Sequence, residues 1–163
     1  MPGTVESRLA ALGLALPSAA SPAANYEPYA IAGGLIFIAG QAPVIEGKYQ
    51  SVGKVGAEVT LEAAQAAARL CGLNVLAQVK AAVVGDWSRV RRCVRVCGYV
   101  SSAPGFFDQP KVLDGASDLI VAALGESGKH ARSAMGAFAL RGNVPVVIDA
   151  IFEIARVRRE PSD

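Results

Sequence analysis

The sequence predicts an α+β fold: a single domain in which a mixed sheet carries two main helices on one face. Three observations carry this prediction. Strand-like segments come in pairs around helical ones, in the order ββ-α-β-α-ββ. Residues 60–84 repeat apolar side chains at three- and four-residue steps, the period of a helix that buries one stripe. Of the 163 residues, 52% are hydrophobic and 18% charged, so the chain has the apolar surface for a core and is not disordered by composition.

The elements follow in order. Residues 4–13 read as a short helix with Thr4 as its N-cap. The apolar run Leu9-Ala10-Ala11-Leu12-Gly13-Leu14-Ala15-Leu16 resembles a signal-peptide core, but Glu6 accompanies Arg8 ahead of it, so helix and loop are the reading. Residues 14–25, rich in Pro, Ala and Ser, form the loop that completes an N-terminal region over 1–25. Strands at 29–32 and 35–39 flank Gly33-Gly34, a hairpin signal, and Pro43 ends the second. Residues 44–58, with Gly47, Gly53 and Gly56, read as an extended loop.

Thr60 caps the long helix, Glu62 suits its positive end, and Gly85 marks its stop. Residues 91–100 alternate as a strand, with Val94, Val96 and Gly98 on one face and Cys93, Arg95 and Cys97 on the other. Asp108 caps a second helix over 110–124, with Pro110 in its first turn and Gly125 after its end. Two last strands, 132–140 and 144–155, surround Arg141-Gly142-Asn143, read as a hairpin turn. The core thus spans 26–155, and 156–163 is a short basic tail containing Arg156, Arg158 and Arg159. No internal repeat or linker divides the domain.

Composition narrows the function. Lys plus Arg is 16 and Asp plus Glu is 14, a net charge of +2. Such a balance gives no broad cationic surface for phosphates, which disfavours a nucleic-acid partner. No apolar run reaches the roughly 18 residues of a membrane span. The low charged fraction leaves apolar surface that an oligomer would cover. Cys71, Cys93 and Cys97 are odd in number and lack metal-type spacing, as expected of free thiols in a reducing cytoplasm. Cys93 and Cys97 stand ~13 Å apart along a strand, too far for a disulfide.

Most catalytic signatures are missing. No Gly-rich fingerprint opens a helix after a strand, no Gly-x-Ser-x-Gly elbow occurs, and His130 is the one histidine. One segment stands out: His130-Ala131-Arg132-Ser133-Ala134-Met135, followed by Asn143-Val144-Pro145-Val146-Val147-Ile148-Asp149-Ala150. Arg132 opens a strand in an apolar stretch, and an unpaired buried cation is costly. Either it forms a salt bridge with an internal carboxylate such as Asp149 or Glu153, or its planar fork awaits a substrate carboxylate.

Together these residues resemble the RidA family, also called YjgF or L-PSP endoribonuclease-like proteins. The resemblance runs from about residue 26 to 155. It rests on Tyr26-Glu27-Pro28-Tyr29, Phe37-Ile38-Ala39-Gly40-Gln41-Ala42-Pro43, the long helix, Ala131-Arg132-Ser133 and Ile148-Asp149-Ala150. The segments Ala103-Pro104-Gly105-Phe106-Phe107-Asp108-Gln109-Pro110-Lys111-Val112 and Gly53-Lys54-Val55-Gly56 resemble its longer branch, whose role is less defined. The resemblance implies a chorismate-mutase-like α+β fold and a homotrimer with three clefts between subunits. It further implies hydrolysis of reactive enamines and imines to 2-keto acids and ammonia, without a cofactor.

The resemblance also assigns residues. Arg132 falls where the family binds the substrate carboxylate. Tyr29 matches a cleft tyrosine, and Gly40 a glycine whose backbone approaches the ligand. Ala134 takes a position often held by cysteine, leaving only its backbone N–H to serve. Lys111 falls where an asparagine is usual. Val147 replaces the glutamate that orients the attacking water. Asp149 is two residues on, on the same strand face and ~7 Å away, and either positions a water instead or anchors Arg132 or the trimer core. Phe106 and Phe107 either wall the cleft or pack in the core. Two functions remain open: an imine hydrolase acting on a small imino acid, and a trimer that binds an imino or keto acid, or a protein partner, without turnover. Ribonuclease activity has little support, for there is no histidine pair and no basic patch interleaved with aromatics.

Overall fold

The structure is a computed structural model and describes residues 4–22 and 24–155. The expected basic tail over 156–163 lies outside the described residues. Three helices, α1 (Val5–Ala11), α2 (Leu61–Ala82) and α3 (Gln109–Leu124), accompany seven strands. These are β1 (Tyr29–Ala32), β2 (Leu35–Gln41), β3 (Val44–Ile45), β4 (Lys48–Tyr49), β5 (Val90–Ser101), β6 (Ala131–Ala137) and β7 (Val146–Ile154). Five strands form one sheet in the order β1-β2-β7-β5-β6. The β5–β6 pair is parallel and the others are antiparallel, so the sheet is mixed as expected. No helix among the described residues is long and apolar enough to cross a membrane.

The last two strands do not form the expected hairpin. β5 lies between β6 and β7, and Arg141–Asn143 is a 3₁₀ turn on a crossover. Side-chain character explains the order. β7 reads Val-Val-Ile-Asp-Ala-Ile-Phe-Glu-Ile, apolar on nearly every residue, and takes the centre of the sheet. β6 reads Ala-Arg-Ser-Ala-Met-Gly-Ala, offers little to bury, and takes the edge. The segment expected to be a loop over 44–58 contains the small β3–β4 hairpin. Its two central residues, Glu46 and Gly47, both have positive φ (49° and 76°), as a tight hairpin turn requires.

One face of the sheet carries α2 and α3. Ile36, Ile38, Val96, Val100, Ile148, Ala150 and Phe152 are buried against them. Small residues on α2 and α3 allow close helix packing: a Cβ on Gly115 would lie 2.1 Å from the Gln65 carbonyl oxygen. Thr60 caps α2 as expected, its hydroxyl accepting from the Ala63 N–H at 3.1 Å. Past the α2 terminus, Val84 rather than a glycine occupies the first left-handed position (φ 55°), and Gly85 follows at φ 79°. Their N–H groups reach the Ala81 and Lys80 carbonyls. Asp108 stands at the N-cap of α3 without a capping bond and pairs with Lys111 instead. At the other end of the layer, Glu6 on α1 accepts from the Trp87 indole at 2.9 Å and pairs with Lys80 at 3.1 Å.

A β-bulge reshapes β5. Cys93 pairs with Phe152 and Arg95 with Ile151, so one extra residue intervenes on β5. Cys93 therefore shares the helix-covered face with Val96, while Arg95, Cys97 and Tyr99 face the other way. The expected placement of Cys93 beside Arg95 and Cys97 is overturned by this single inserted residue. All three cysteines are unpaired and buried.

Candidate functional site

Arg132 sits on edge strand β6, opposite Val96 of β5. Cross-strand partners share a face, so Arg132 points to the helix side. There it meets α3. Its Nη1 donates to Asp114 Oδ1 at 2.8 Å and to Ser117 Oγ at 3.2 Å. Asp114 and Ser117 are three residues apart, hence on one face of the helix. The expected partners, Asp149 and Glu153, are not the ones: both lie on the opposite face of the sheet. The arginine side chain keeps 26% of its surface exposed, and among the described residues the rest of its fork takes no hydrogen bond. One edge of a bidentate donor is thus held and the other is free.

The network continues to the only histidine. His130 Nδ1 lies 2.6 Å from the Gly128 carbonyl oxygen, which can only accept, so Nδ1 carries the proton. Nε2 then accepts the Ser117 hydroxyl at 3.0 Å. Sequence reasoning set His130 aside and missed Ser117 and Asp114. The three-residue spacing on α3 was the available signal, but it has meaning only once β6 is placed beside that helix.

The neighbouring residues divide. Ala134, paired with Gly98, packs on the core just past Arg132. Phe106 packs inward over Gly56, while Phe107 is 83% exposed. Lys111 pairs with Asp108 at 3.2 Å near solvent. Gln109 donates to the Phe106 carbonyl at 2.8 Å and to Ser102 Oγ at 3.2 Å, which fixes the entry of α3 beside β6. Lys54 donates to Ser101 Oγ at 3.4 Å and to the Phe138 carbonyl, with its ammonium 5.0 Å from the Phe138 ring centroid.

The other expected residues stand apart. Val147 pairs with Tyr99 and Asp149 with Cys97, which places both on the face that no helix among the described residues covers. Gly40 abuts this group, since a Cβ there would lie 2.9 Å from Val147 Cγ1. Burial pushes the Asp149 carboxyl above its usual range, and the Tyr99 hydroxyl and Arg95 only partly offset that. Cys97 and then Asp149 push the Tyr99 hydroxyl up to about 12. Tyr29 lies on β1 at the far edge, four strand spacings or ~19 Å from β6. One chain therefore does not bring Arg132 together with Tyr29, Gly40, Val147 or Asp149. No group of three or more His, Cys, Asp or Glu among the described residues could hold a metal ion.

This sheet order, helix placement and arginine edge define a chorismate-mutase-like α+β protein. Residues 6–150 match the family described as "YjgF/chorismate_mutase-like, putative endoribonuclease", and the chain belongs to that family. It is 42% identical to Protein TCP17 of Trypanosoma cruzi over 153 residues, covering 93% of this chain and 95% of that one. The crystal structure of Atu1372 of Agrobacterium tumefaciens, a protein of unknown function, is similar at 47% identity and TM-score 0.88, covering 93% and 94% of the two chains. E. coli TdcF with bound serine shares the fold at 19% identity and TM-score 0.60, covering 94% and 99%.

Proposed function

We propose that this chain hydrolyses small reactive 2-imino acids and their enamine tautomers to 2-keto acids and ammonia, in clefts between copies of a homotrimer. The observation that carries the reading is Arg132, gripped along one edge by Asp114 and Ser117 and free along the other. A substrate carboxylate on that free edge gains paired charge-assisted hydrogen bonds and a fixed orientation. On this reading the backbone N–H groups near Ala134 and, from a second copy, Gly40 help orient it. Phe107, exposed, and Lys111, paired with Asp108, are assigned to the mouth of that cleft. An imine carbon is already electrophilic when protonated, so positioning supplies much of the catalysis and no cofactor is needed.

A second copy is required by this reading, because Gly40, Val147 and Asp149 lie on the opposite face of the sheet from Arg132 and Tyr29 lies at its far edge. The uncovered face supports it. Phe37 on β2 and Met135 on β6 are about half exposed there. The free cysteines suit a reducing compartment such as the cytoplasm.

An amino-acid oxidase generating imino acids in situ, with semicarbazide trapping what remains, tests the proposal. Wild type should accelerate hydrolysis, and Arg132→Ala should lose about 10²-fold in kcat/KM. Equal rates in the two would overturn it.

Val147 favours a second reading, a trimer that binds a keto acid without turnover. An isopropyl side chain cannot accept a water proton. On this reading wild type binds pyruvate through Arg132 yet accelerates nothing, and Val147→Glu creates activity.

A further inference from the structure

We propose that the Ser117–His130 pair is the proton-accepting group of the Arg132 cleft, filling the role that Val147 cannot. This rests on the hydrolytic reading above. Ser117 touches the attacking water, and His130 acts through Ser117.

Three observations support it. The hydroxyl–imidazole geometry is that of an activated oxygen: Oγ to Nε2 is 3.0 Å, and the Gly128 carbonyl fixes the tautomer from behind at 2.6 Å. The pair adjoins the carboxylate anchor, with Ser117 Oγ 3.2 Å from Arg132 Nη1. A ligand on the free edge of the fork would stand beside Oγ, where a bridging water could contact both. Finally, Asp114 balances Arg132 at 2.8 Å, so a proton arriving on His130 does not face an uncompensated cation. The Lys129–Glu126 ion pair belongs to the turn that carries the imidazole and is itself neutral overall, and Arg95 on β5 faces the other side of the sheet.

The chemistry balances as follows. Water oxygen bonds to the protonated imine carbon as the C=N pair moves to nitrogen. The water proton goes to Ser117 Oγ while the serine proton passes to His130 Nε2. The same route returns a proton to the carbinolamine nitrogen. The C–N bond breaks with its electron pair leaving on ammonia, and the carbinol O–H proton goes to solvent as the ketone forms.

The test uses the full-length protein and exploits its single histidine, whose imidazole signal is unique in an NMR titration. The acid limb of wild-type kcat should coincide with that titration. His130→Gln should abolish the limb and lower kcat about 10²-fold while KM changes little, and Ser117→Ala should lower kcat similarly. An acid limb displaced from the histidine titration overturns the inference, and this comparison needs no variant to fold. Unchanged kcat and pH profile in His130→Gln overturn it too, while Arg132-dependent wild-type activity leaves the hydrolytic reading standing. Wild type without any imine hydrolysis overturns both.

Discussion

The two faces of the five-stranded sheet are built from the same strands and behave differently. On the helix side β7 places Val146, Ile148, Ala150, Phe152 and Ile154, all buried. On the opposite side it places Val147, Asp149, Ile151 and Glu153, only one of them exposed, the rest half-buried, and two of them plainly apolar. A sheet meant to face water alternates apolar with polar side chains. β7 does not, and β2 adds Phe37 to the open face at 42% exposure. The difference teaches that this chain carries two apolar layers, of which its described residues cover only one.

The sharpest test sets neighbours on β7 against each other. Phe152→Ala empties the covered core and should cost about 3–5 kcal/mol in urea unfolding. Ile151→Ala, one residue away on the open face, should cost the isolated chain under half as much. Equal losses would erase the distinction between the faces. Phe37→Asp puts a charge on the open face and should convert the proposed trimer to monomers in sedimentation, with the far-UV spectrum unchanged. Persistence of the same oligomer would show that this face is not where copies meet.

Smaller effects come from the edges of the covered layer and from the open face. Val84 is β-branched, 86% exposed and left-handed at φ 55°, so Val84→Gly should stabilise by about 1 kcal/mol in thermal unfolding. The smallest effect is the pH dependence at Asp149. Its raised carboxyl means that the folded chain keeps a proton which the unfolded chain releases near pH ~4. Stability from this group falls as pH rises from that value through the folded one and is flat above. Asp149→Asn should raise the melting temperature at pH 7 by about 2 °C or less, and leave it unchanged at pH 3.

Local signals in the sequence were reliable where the physics is local. The α2 period, its Thr60 cap and the Gly33-Gly34 turn each depend on residues within one or two helical turns. The misplacements came from long-range pairing. Nothing near Arg141-Gly142-Asn143 reveals that β5, forty residues earlier, will insert between the flanking strands. A bulge in β5 costs one residue and leaves no compositional mark, yet it moves Cys93 to the other face. Arg132 was legible as a residue needing a partner. Asp114 as that partner was not, because only the docking of α3 on β6 chooses it over Asp149 or Glu153. The split of the site residues between two faces followed from the same register.

The Trp87 indole, bonded to Glu6, makes the N-terminal helix observable by light. Trp87 is the only tryptophan in the chain, and its hydrogen bond goes to α1 while Arg132 bonds α3. Its emission should redshift and quench when α1 peels away, while ligand events at the arginine leave it unchanged. Fraying of the amino terminus can therefore be timed by fluorescence in the unlabelled protein.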